Sequence, residues 1–349
     1  MSDKRQPVAV TLADVARRAG VSAATVSRVL NGNYPVAGRT RDRVLRAVSE
    51  LDYVVNAHAR SLAGRTSDMV GVLVNDVADP FFGLIAAGVQ AEVSAAELLT
   101  VIASTGGNPD EELRYVELLM RQRAEAIVLV GGQAGGAEHA ARLAALVQRA
   151  GAAGTRVVLC GRPPLPGASA VEIDNRRGAA GLTRHLLAFG HRHIAYLTGP
   201  SGNTTTEARL AGHRDALAAA GVAEGPLAEG TFTRDGGRRA ATAILAMADR
   251  PTAIVAANDL AAAGVLAAAR EAGIAVPADV SVAGFDDLPI SRDAMPTLTT
   301  VRVPLDELGR RAGRIAAGQS ASEPGELVPE LIARDSVSAP ASRQVPERR

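Results

Sequence analysis

Short apolar runs separated by amphipathic helical segments fill most of the chain from residue 69 onward. Each run ends in turn or polar residues, and helical patterns such as GLTRHLLAFG stand between them. This alternation is typical of a parallel sheet covered by helices. There are too many runs for one small sheet, and the Pro/Gly-rich stretch GRPPLPGASAVEIDN interrupts them, which predicts two α/β lobes. The runs are MVGVLV, LLTVIAS, AIVLVGG, RVVLCG, HIAYLTG, AIVAAND and VSVAGFDD.

The first 55 residues follow another pattern, because apolar residues recur there at helical spacing in three short stretches. TLADVARRAG and VSAATVSRVLNG form two helices if Gly20 supplies a left-handed turn and Ser22 caps the second helix. Two short helices joined in this way are typical of a helix-turn-helix. RTRDRVLRAVSEL predicts a third helix whose apolar positions are Val44, Leu45, Val48 and Leu51.

Composition and charge narrow the classes of protein. With 349 residues, 47% of them hydrophobic, the chain can bury a large core. Residues 1–66 carry a net charge of +6 and residues 67–349 a net charge of −5, so a polyanion would bind the front segment. The single cysteine, Cys160, rules out an internal disulfide. No apolar run reaches the roughly 18 residues of a spanning helix and MSDKRQPVAV lacks a signal-peptide core, so we expect a cytoplasmic protein without a membrane partner.

Motifs along the chain match a known pattern. These include TLADVARRAGVSAATVSRVLNG, TRDRVLRAVSELDYVVNAHARSLAG, DPFFGLIAAGVQAE, GHRHIAYLTGP, EARLAGHRDAL and PTLTTVRVPLDELGRRA. They resemble the LacI family of bacterial transcriptional regulators, and the resemblance extends to about residue 337. It implies an N-terminal all-α helix-turn-helix headpiece followed by an α/β two-lobe effector domain similar to periplasmic binding proteins.

The resemblance also implies the domain organisation. We expect a DNA-binding domain at 1–55, a hinge helix at 56–66, an effector-binding and dimerisation domain at 67–340, and a disordered tail at 341–349. Within the effector domain the N-lobe would comprise about 67–173 and 303–332, and the C-lobe about 174–302 and 333–340. The end of the chain, SVSAPASRQVPERR, has two prolines and no leucine, so it cannot form the leucine-heptad helix of the family's tetramers, which predicts a homodimer.

The second helix would lie in the major groove of double-stranded operator DNA, where Arg28 suits guanine and short side chains allow close approach. Other residues suit phosphate oxygens. The resemblance adds a hinge in the minor groove, with Leu62 wedged between base pairs, although Val55 stands where the family usually has proline. Two-fold symmetry implies a near-palindromic operator. The expected DNA-contacting residues are Thr11, Leu12, Ser22, Ala23, Ala24, Thr25, Ser27, Arg28, Asn31, Arg41, Asn56, Ala59, Arg60 and Leu62.

Ligands of such α/β folds bind outside the carboxyl ends of strands. We expect Arg209, at the start of the helix after TGPSGNTTTEA, to converge with Asn258 and Asp286 on one crevice, with water as their partner when no ligand is bound. These groups suit sugar hydroxyls, and phenylalanine rings can stack on a sugar ring. Core packing of the phenylalanines and turn capping by Asp286 are the alternatives. The expected effector-binding residues are Asp79, Phe81, Phe82, Arg162, Arg209, Phe232, Asn258 and Asp286.

Other functional classes lack their parts. The chain has no GxGxxG after its first strand and no GxxxxGK[ST], GxSxG or HExxH, and His191 and His193 have no third metal ligand nearby, so we expect neither an enzyme nor a cofactor. A solute-binding transport protein would have no use for residues 11–62. We therefore expect a DNA-binding repressor controlled by a sugar-like effector. Gly161 and Val303 replace polar residues of sugar-responsive members, so a purine or other non-sugar co-repressor stays open, as does the choice between inducer and co-repressor.

Overall fold

The computed structural model describes residues 10–31, 35–53, 67–319 and 326–341. The chain divides into two compact units, Met1–Ser67 and Asp68–Arg349, which we call the helical unit and the α/β unit. Predicted hinge contacts Asn56, Ala59, Arg60 and Leu62 lie outside the described residues, as do the side chain of Asn31 and residues 342–349 of the predicted tail. No helix in the described ranges is long and apolar enough to span a membrane.

The helical unit contains α1 (Leu12–Ala19), α2 (Ala23–Asn31) and α3 (Gly38–Glu50). Thr11 and Asp14 form a reciprocal capping box at the start of α1. Gly20 ends α1 with a φ of 64°, and the Ser22 hydroxyl accepts the Thr25 N–H at 3.1 Å. The predicted roles of Gly20 and Ser22 in the helix-turn-helix are therefore confirmed.

One residue from each of the three helices is fully buried in a small core: Val15, Val26 and Val44 are each 0% exposed. Ala47 of α3 and Tyr53 also belong to this core. The prediction that Leu45 belongs to the apolar face is wrong, because its exposed fraction is 45%. Successive helical residues are about 100° apart, so the residue next to Val44 points away from the side that Val44 and Ala47 share.

The first sheet of the α/β unit has five strands in the order β2-β1-β3-β4-β5. They are β1 (Ser67–Val74), β2 (Leu99–Ser104), β3 (Ala124–Val130), β4 (Arg156–Cys160) and β5 (Ser169–Val171). Pairing is parallel between β1 and β2 and from β3 through β5. This sheet and four helices form what we call the first lobe: α4 (Pro80–Ala95), α5 (Pro109–Arg121), α6 (Gly136–Ala152) and α12 (Leu305–Ala316).

The second sheet has four parallel strands in the order β7-β6-β8-β9. They are β6 (Ile194–Thr198), β7 (Leu227–Glu229), β8 (Ala253–Ala256) and β9 (Ser281–Ala283). The helices of this second lobe are α7 (Asn175–Ala188), α8 (Thr204–Ala219), α9 (Arg234–Leu245), α10 (Asp259–Glu271) and α11 (Ile290–Asp293). The predicted two-lobe α/β architecture is confirmed.

The chain passes between the lobes at three places. Ile173 bridges to Leu327 after β5, and β10 (Thr300–Arg302) pairs antiparallel with β11 (Glu330–Ile332). After β10 the chain enters α12 of the first lobe, and after β11 the Ser336 carbonyl accepts the Val282 N–H of β9. The strands predicted from the sequence do not include β5, β7, β10 and β11, each of which is only three residues long.

Glycines bring the first lobe's helices α4 and α12 into backbone contact. A Cβ on Gly88 of α4 would lie 2.5 Å from the Asp306 carbonyl oxygen, and one on Gly309 of α12 would collide with the Ile85 carbonyl oxygen. Gly83, also on α4, has no atom within 4 Å of such a Cβ. The helix crossing therefore requires glycine at positions 88 and 309 but not at position 83.

We expect Gly309→Ala to lower the free energy of unfolding by about 1 to 3 kcal/mol, because the added methyl forces the two helices apart. Gly83→Ala is the matched control and should raise it by up to about 1 kcal/mol through better helix propensity. Urea denaturation followed by circular dichroism measures both changes. Equal effects of the two substitutions would contradict the close helix crossing.

Candidate functional site

The first turn of α2 is presented to solvent. Ser22, Ala23 and Ala24 are exposed, whereas Val26, in the next turn, is fully buried. Of the other predicted DNA-contacting side chains that the structure describes, those of Thr11, Arg28 and Arg41 are exposed, and those of Leu12, Thr25 and Ser27 are half-buried. The short exposed side chains at the start of α2 leave its backbone accessible to a groove.

The α/β unit has a cleft of about 730 Å³ lined by both lobes. Seven of the eight predicted effector-binding residues line it: Asp79, Phe81, Phe82, Arg209, Phe232, Asn258 and Asp286. The first lobe also contributes polar groups from the loops after its strands, and the second lobe contributes hydroxyl and amide groups near the starts of α8 and α9. The cleft therefore lies where the fold predicts it, outside the carboxyl ends of the strands.

An ion pair is buried in the second-lobe wall of this cleft. Arg209 Nη2 donates to Asp286 Oδ1 at 2.8 Å, and both side chains are 3% exposed. Arg209 Nε donates to Asn175 Oδ1 at 2.8 Å, Nη1 donates to the Ala257 carbonyl at 2.6 Å, and the guanidinium lies 3.7 Å from the Phe285 ring centroid. The prediction that water would satisfy these groups is wrong, because protein atoms do so.

The position of Arg209 also corrects the sequence analysis. It does not start α8: the helix begins at Thr204, and Asn203 caps it by accepting the N–H groups of Thr205 and Thr206. Arg209 lies in the second turn, where its long side chain reaches back along the helix toward the cleft. The threonines after Asn203 belong to the first turn of α8 and not to the loop before it, and asparagine is a common residue at a helix start.

Asn258 and Asp286 have structural duties besides lining the cleft. Asn258 caps α10 by accepting the Ala261 N–H at 2.9 Å, and its Nδ2 donates to the Phe232 carbonyl at 3.0 Å, which positions the loop that carries Phe232. Asp286 has a φ of 105°, an unusual conformation for a residue with a side chain. Burial raises its pKa to about 6, opposed by Arg209 and reinforced by Asp79.

Arg162 is the predicted effector-binding residue that does not line the main cleft. It lines a neighbouring cavity of about 180 Å³ and is 3% exposed. Its guanidinium pairs with both carboxylate oxygens of Glu112, at 3.2 and 3.0 Å, and donates to the Gly131 carbonyl at 2.8 Å. Arg162 therefore holds a cleft residue, Glu112, rather than facing the cleft itself.

Glu112 joins Arg162 to a buried histidine. His139 Nε2 lies 3.1 Å from Glu112 Oε1, and both residues line the cleft. Burial opposes ionisation of Glu112, but Arg162 and His139 outweigh it and lower the pKa to about 2. An ionised carboxylate only accepts hydrogen bonds, so His139 Nε2 carries the proton. Glu112 and His139 were missed because 27 residues separate them on two different helices, a spacing without a sequence signal.

The charges that line the cleft do not favour an anion. Asp286 balances Arg209 and Arg162 balances Glu112, which leaves the carboxylates of Asp76 and Asp79. Asp79 caps α4 by accepting the Phe81 N–H at 2.9 Å, and burial raises its pKa. The wall therefore combines carboxylates, amides, hydroxyls and three phenylalanine rings, which suits a neutral ligand rich in hydroxyl groups.

The two lobes also bond to each other directly at the edge of the cleft. The Gln133 N–H donates to the Thr204 hydroxyl at 3.0 Å, and the Thr204 N–H donates to the Gln133 carbonyl at 3.0 Å. Nearby, a Cβ on Gly132 would lie 2.5 Å from Asn203 Oδ1, so this approach requires glycine. The lobes are thus in direct contact beside the ligand-sized space.

Comparison with known protein families finds separate matches to the N-terminal helical segment and to the α/β unit. A family model described as "Bacterial regulatory proteins, lacI family" matches residues 11–56, and one for a periplasmic binding protein-like domain matches residues 183–337. The chain is 36% identical over 340 residues to the HTH-type transcriptional regulator GalR of Escherichia coli K12, covering 95% of this chain and 96% of that protein.

Solved structures agree over the same length. A lac repressor dimer bound to operator and the anti-inducer ONPF matches with a TM-score of 0.80 and 28% identity, covering 95% of this chain and all of that chain. A complex of the transcriptional regulator CelR with cellobiose matches with a TM-score of 0.67 and 34% identity, covering 94% of this chain and 99% of that one.

The Glu112 cluster predicts a specific pH dependence of stability. The pKa of Glu112 is lowered from the ordinary 4.5 to about 2. The stabilisation that its ionised carboxylate provides is therefore fully present above pH 4.5 and is lost as the pH falls toward 2. We expect Glu112→Gln to lower the free energy of unfolding at pH 7 by about 3 to 5 kcal/mol, because it leaves Arg162 buried without a counter-ion. The difference from wild type should shrink below pH 4.5.

Glu111→Gln is the control, since Glu111 is adjacent and pairs with Arg114 in solvent. Glu111→Gln should change the free energy of unfolding little, both at pH 7 and below pH 4.5. Chemical denaturation at a series of pH values measures both variants. A Glu112→Gln effect that is the same at every pH would contradict an ionised, paired Glu112.

Proposed function

Since the chain belongs to the LacI family of bacterial regulatory proteins, we propose that it is a homodimeric repressor whose affinity for a near-palindromic operator is controlled by a neutral sugar-like effector. The observation that carries the effector proposal is that Arg209, Asp286 and Asn258 line the same cleft as Phe232. Carboxylate, amide and guanidinium groups arranged beside an aromatic ring match alternating hydroxyl and C–H faces of a sugar. The complex of CelR with cellobiose supports this class of ligand.

DNA contact is proposed for the exposed side of α2. The bound operator in the lac repressor structure supports this role for the helical unit. Arg28 would read a guanine through two hydrogen bonds, whereas Arg41 on α3 would contact phosphate, which positions the protein without reading sequence. Two copies related by a two-fold axis would read the two halves of one operator.

Control of operator affinity requires that effector binding in the cleft and DNA binding by the helical unit be thermodynamically linked. An effector changes operator affinity only to the extent that it binds the DNA-competent and DNA-incompetent states with different affinities. The cleft is lined by both lobes, so closure on a ligand is the step at which such a difference arises. A purine would lack the hydroxyls that the carboxylates and amides would otherwise bind, which favours the sugar over that alternative.

Titration calorimetry of the full-length protein with neutral sugars, their phosphates and purines tests the effector class. We expect a neutral sugar to bind and its phosphate to bind more weakly, because Asp76 and Asp79 repel an anion. Asp286→Asn should weaken sugar binding roughly ten- to a hundredfold through the loss of a charge-assisted hydrogen bond. Wild-type affinity should also fall as the pH drops below about 6, where Asp286 takes up a proton.

Asp215→Asn is the matched control, since Asp215 is an exposed carboxylate of the same lobe paired with Arg176. It should leave sugar affinity and its pH dependence unchanged. Melting temperatures of both variants separate ligand binding from folding. Binding of a purine or a sugar phosphate in place of any neutral sugar would contradict the proposed effector.

Arg28→Ala should cost about 1 to 3 kcal/mol of operator affinity and relax the base preference at one position in each half-site. Arg41→Ala is the contrasting variant: it should weaken binding to all sequences alike and reduce the salt dependence by about one phosphate contact. Binding of each variant to a randomised operator library, followed by sequencing, measures the preference. If Arg28→Ala weakens binding equally for every sequence, Arg28 does not read a base.

A further inference from the structure

Asp287, the residue after Asp286, is also acidic but binds different side chains. The side chain of Asp287 is 1% exposed and, unlike Asp286, does not line the cleft. Three guanidinium groups donate to it: Arg302 at 2.8 Å, Arg334 at 2.5 Å and Arg292 at 3.2 Å. Burial opposes ionisation of Asp287, but these donors and Ser291 lower its pKa to about 2, so the group is a carboxylate at neutral pH.

Two of these arginines stand where the chain crosses between the lobes. Arg302 is the last residue of β10, just before the chain enters α12 of the first lobe. Arg334 follows β11, just before Ser336 bonds to β9 of the second lobe. Arg334 also donates to the Leu298 carbonyl at 2.8 Å. Asp287 thus binds both lobe-crossing strands, β10 through Arg302 and the chain just after β11 through Arg334.

The same short turn joins this point to the cleft. Asp286 and Asp287 have φ angles of 105° and 53°, a left-handed conformation that residues with side chains rarely adopt in succession. The Asp286 N–H donates to the Val301 carbonyl of β10 at 2.7 Å. A shift of Asp286 therefore moves its backbone against β10 and moves Asp287 against Arg302.

We propose that Asp287 is a positioning residue that fixes the lobe-crossing strands relative to Asp286 and so transmits effector contact to the angle between the lobes. This inference rests on the proposed function for its effector, but the positioning itself does not need one. The charge balance supports this role: Arg292, Arg302 and Arg334 share the Asp287 carboxylate, and Glu330 lies 3.6 Å from Arg302. Without the charge of Asp287, the three guanidiniums would lose their shared counter-ion. Their repulsion would push the crossing strands apart.

The test compares Asp287→Asn with Asp306→Asn in the full-length protein. Asp306 pairs with Arg310 in solvent on α12, so the control makes the same change without altering the contacts of Asp287. Spin labels on Glu138→Cys in α6 and Arg239→Cys in α9, both exposed, report the distance between lobes, since the native Cys160 is buried. Mixing with excess unlabelled protein keeps each measurement within one protomer.

Without any ligand, we expect Asp287→Asn to broaden the distance distribution roughly twofold, because the lobes then sample more than one relative position. The width should partly recover in 1 M salt, where the Debye length is about 3 Å, and in the double variant with Arg302→Gln, which removes one repelling charge. Asp306→Asn should match wild type. An unchanged distribution in Asp287→Asn, or a double variant broader than the single one, would overturn the positioning role.

Arg302→Gln alone covers the case in which Asp287→Asn does not fold, since it leaves Asp287 paired with Arg334. It should broaden the distribution by a smaller amount, and no broadening would overturn the proposal. The sugar that binds in the calorimetric titration then tests transmission. Asp287→Asn should change sugar affinity less than about threefold while the ratio of operator affinities with and without sugar falls toward one.

An unchanged ratio would overturn transmission. If no ligand binds the wild-type protein, the proposed function and the transmission fail together, while the ligand-free distances still decide whether Asp287 positions the lobes.

Discussion

Much of the α/β unit depends on keeping one ion pair out of water. Arg209 and Asp286 are each 3% exposed, and removing two charges from solvent costs several kcal/mol unless every donor finds an acceptor. The remaining donors of Arg209 reach Asn175 at the start of α7 and the Ala257 carbonyl after β8. The pair therefore holds together α7, α8 and the ends of β8 and β9, which form the second-lobe wall of the cleft.

The first lobe meets the same constraint with different residues. Arg162 follows β4 and is neutralised by Glu112 of α5, which in turn accepts from His139 of α6. Each lobe thus has a buried arginine–carboxylate pair in its wall of the cleft. Because both pairs are satisfied by protein atoms, the residual charge of the cleft comes from Asp76 and Asp79. This balance, rather than any single side chain, favours a neutral ligand.

The sequence predicts elements well where burial is continuous and poorly where elements are short. β3 and β4 are apolar except for Glu125 and Arg156 near their starts, so their patterns stand out, whereas β7 and β10 have three residues each and depend on pairing with distant strands. Asn258 was found for the same reason, because it comes at the end of the apolar run that contains β8. Glu112 and His139 were not, because their proximity arises from packing of α5 against α6, which no local pattern encodes.

The turn after β9 shows why a correct list of site residues still leaves their interactions undetermined. Asp286 and Asp287 are chemically identical and adjacent, yet burial raises the pKa of the first to about 6, while arginines lower that of the second to about 2. The difference arises because a left-handed turn points the two side chains in different directions, one into the cleft and one toward β10 and Arg334. A single strained turn therefore connects the ligand wall to the strands that join the lobes.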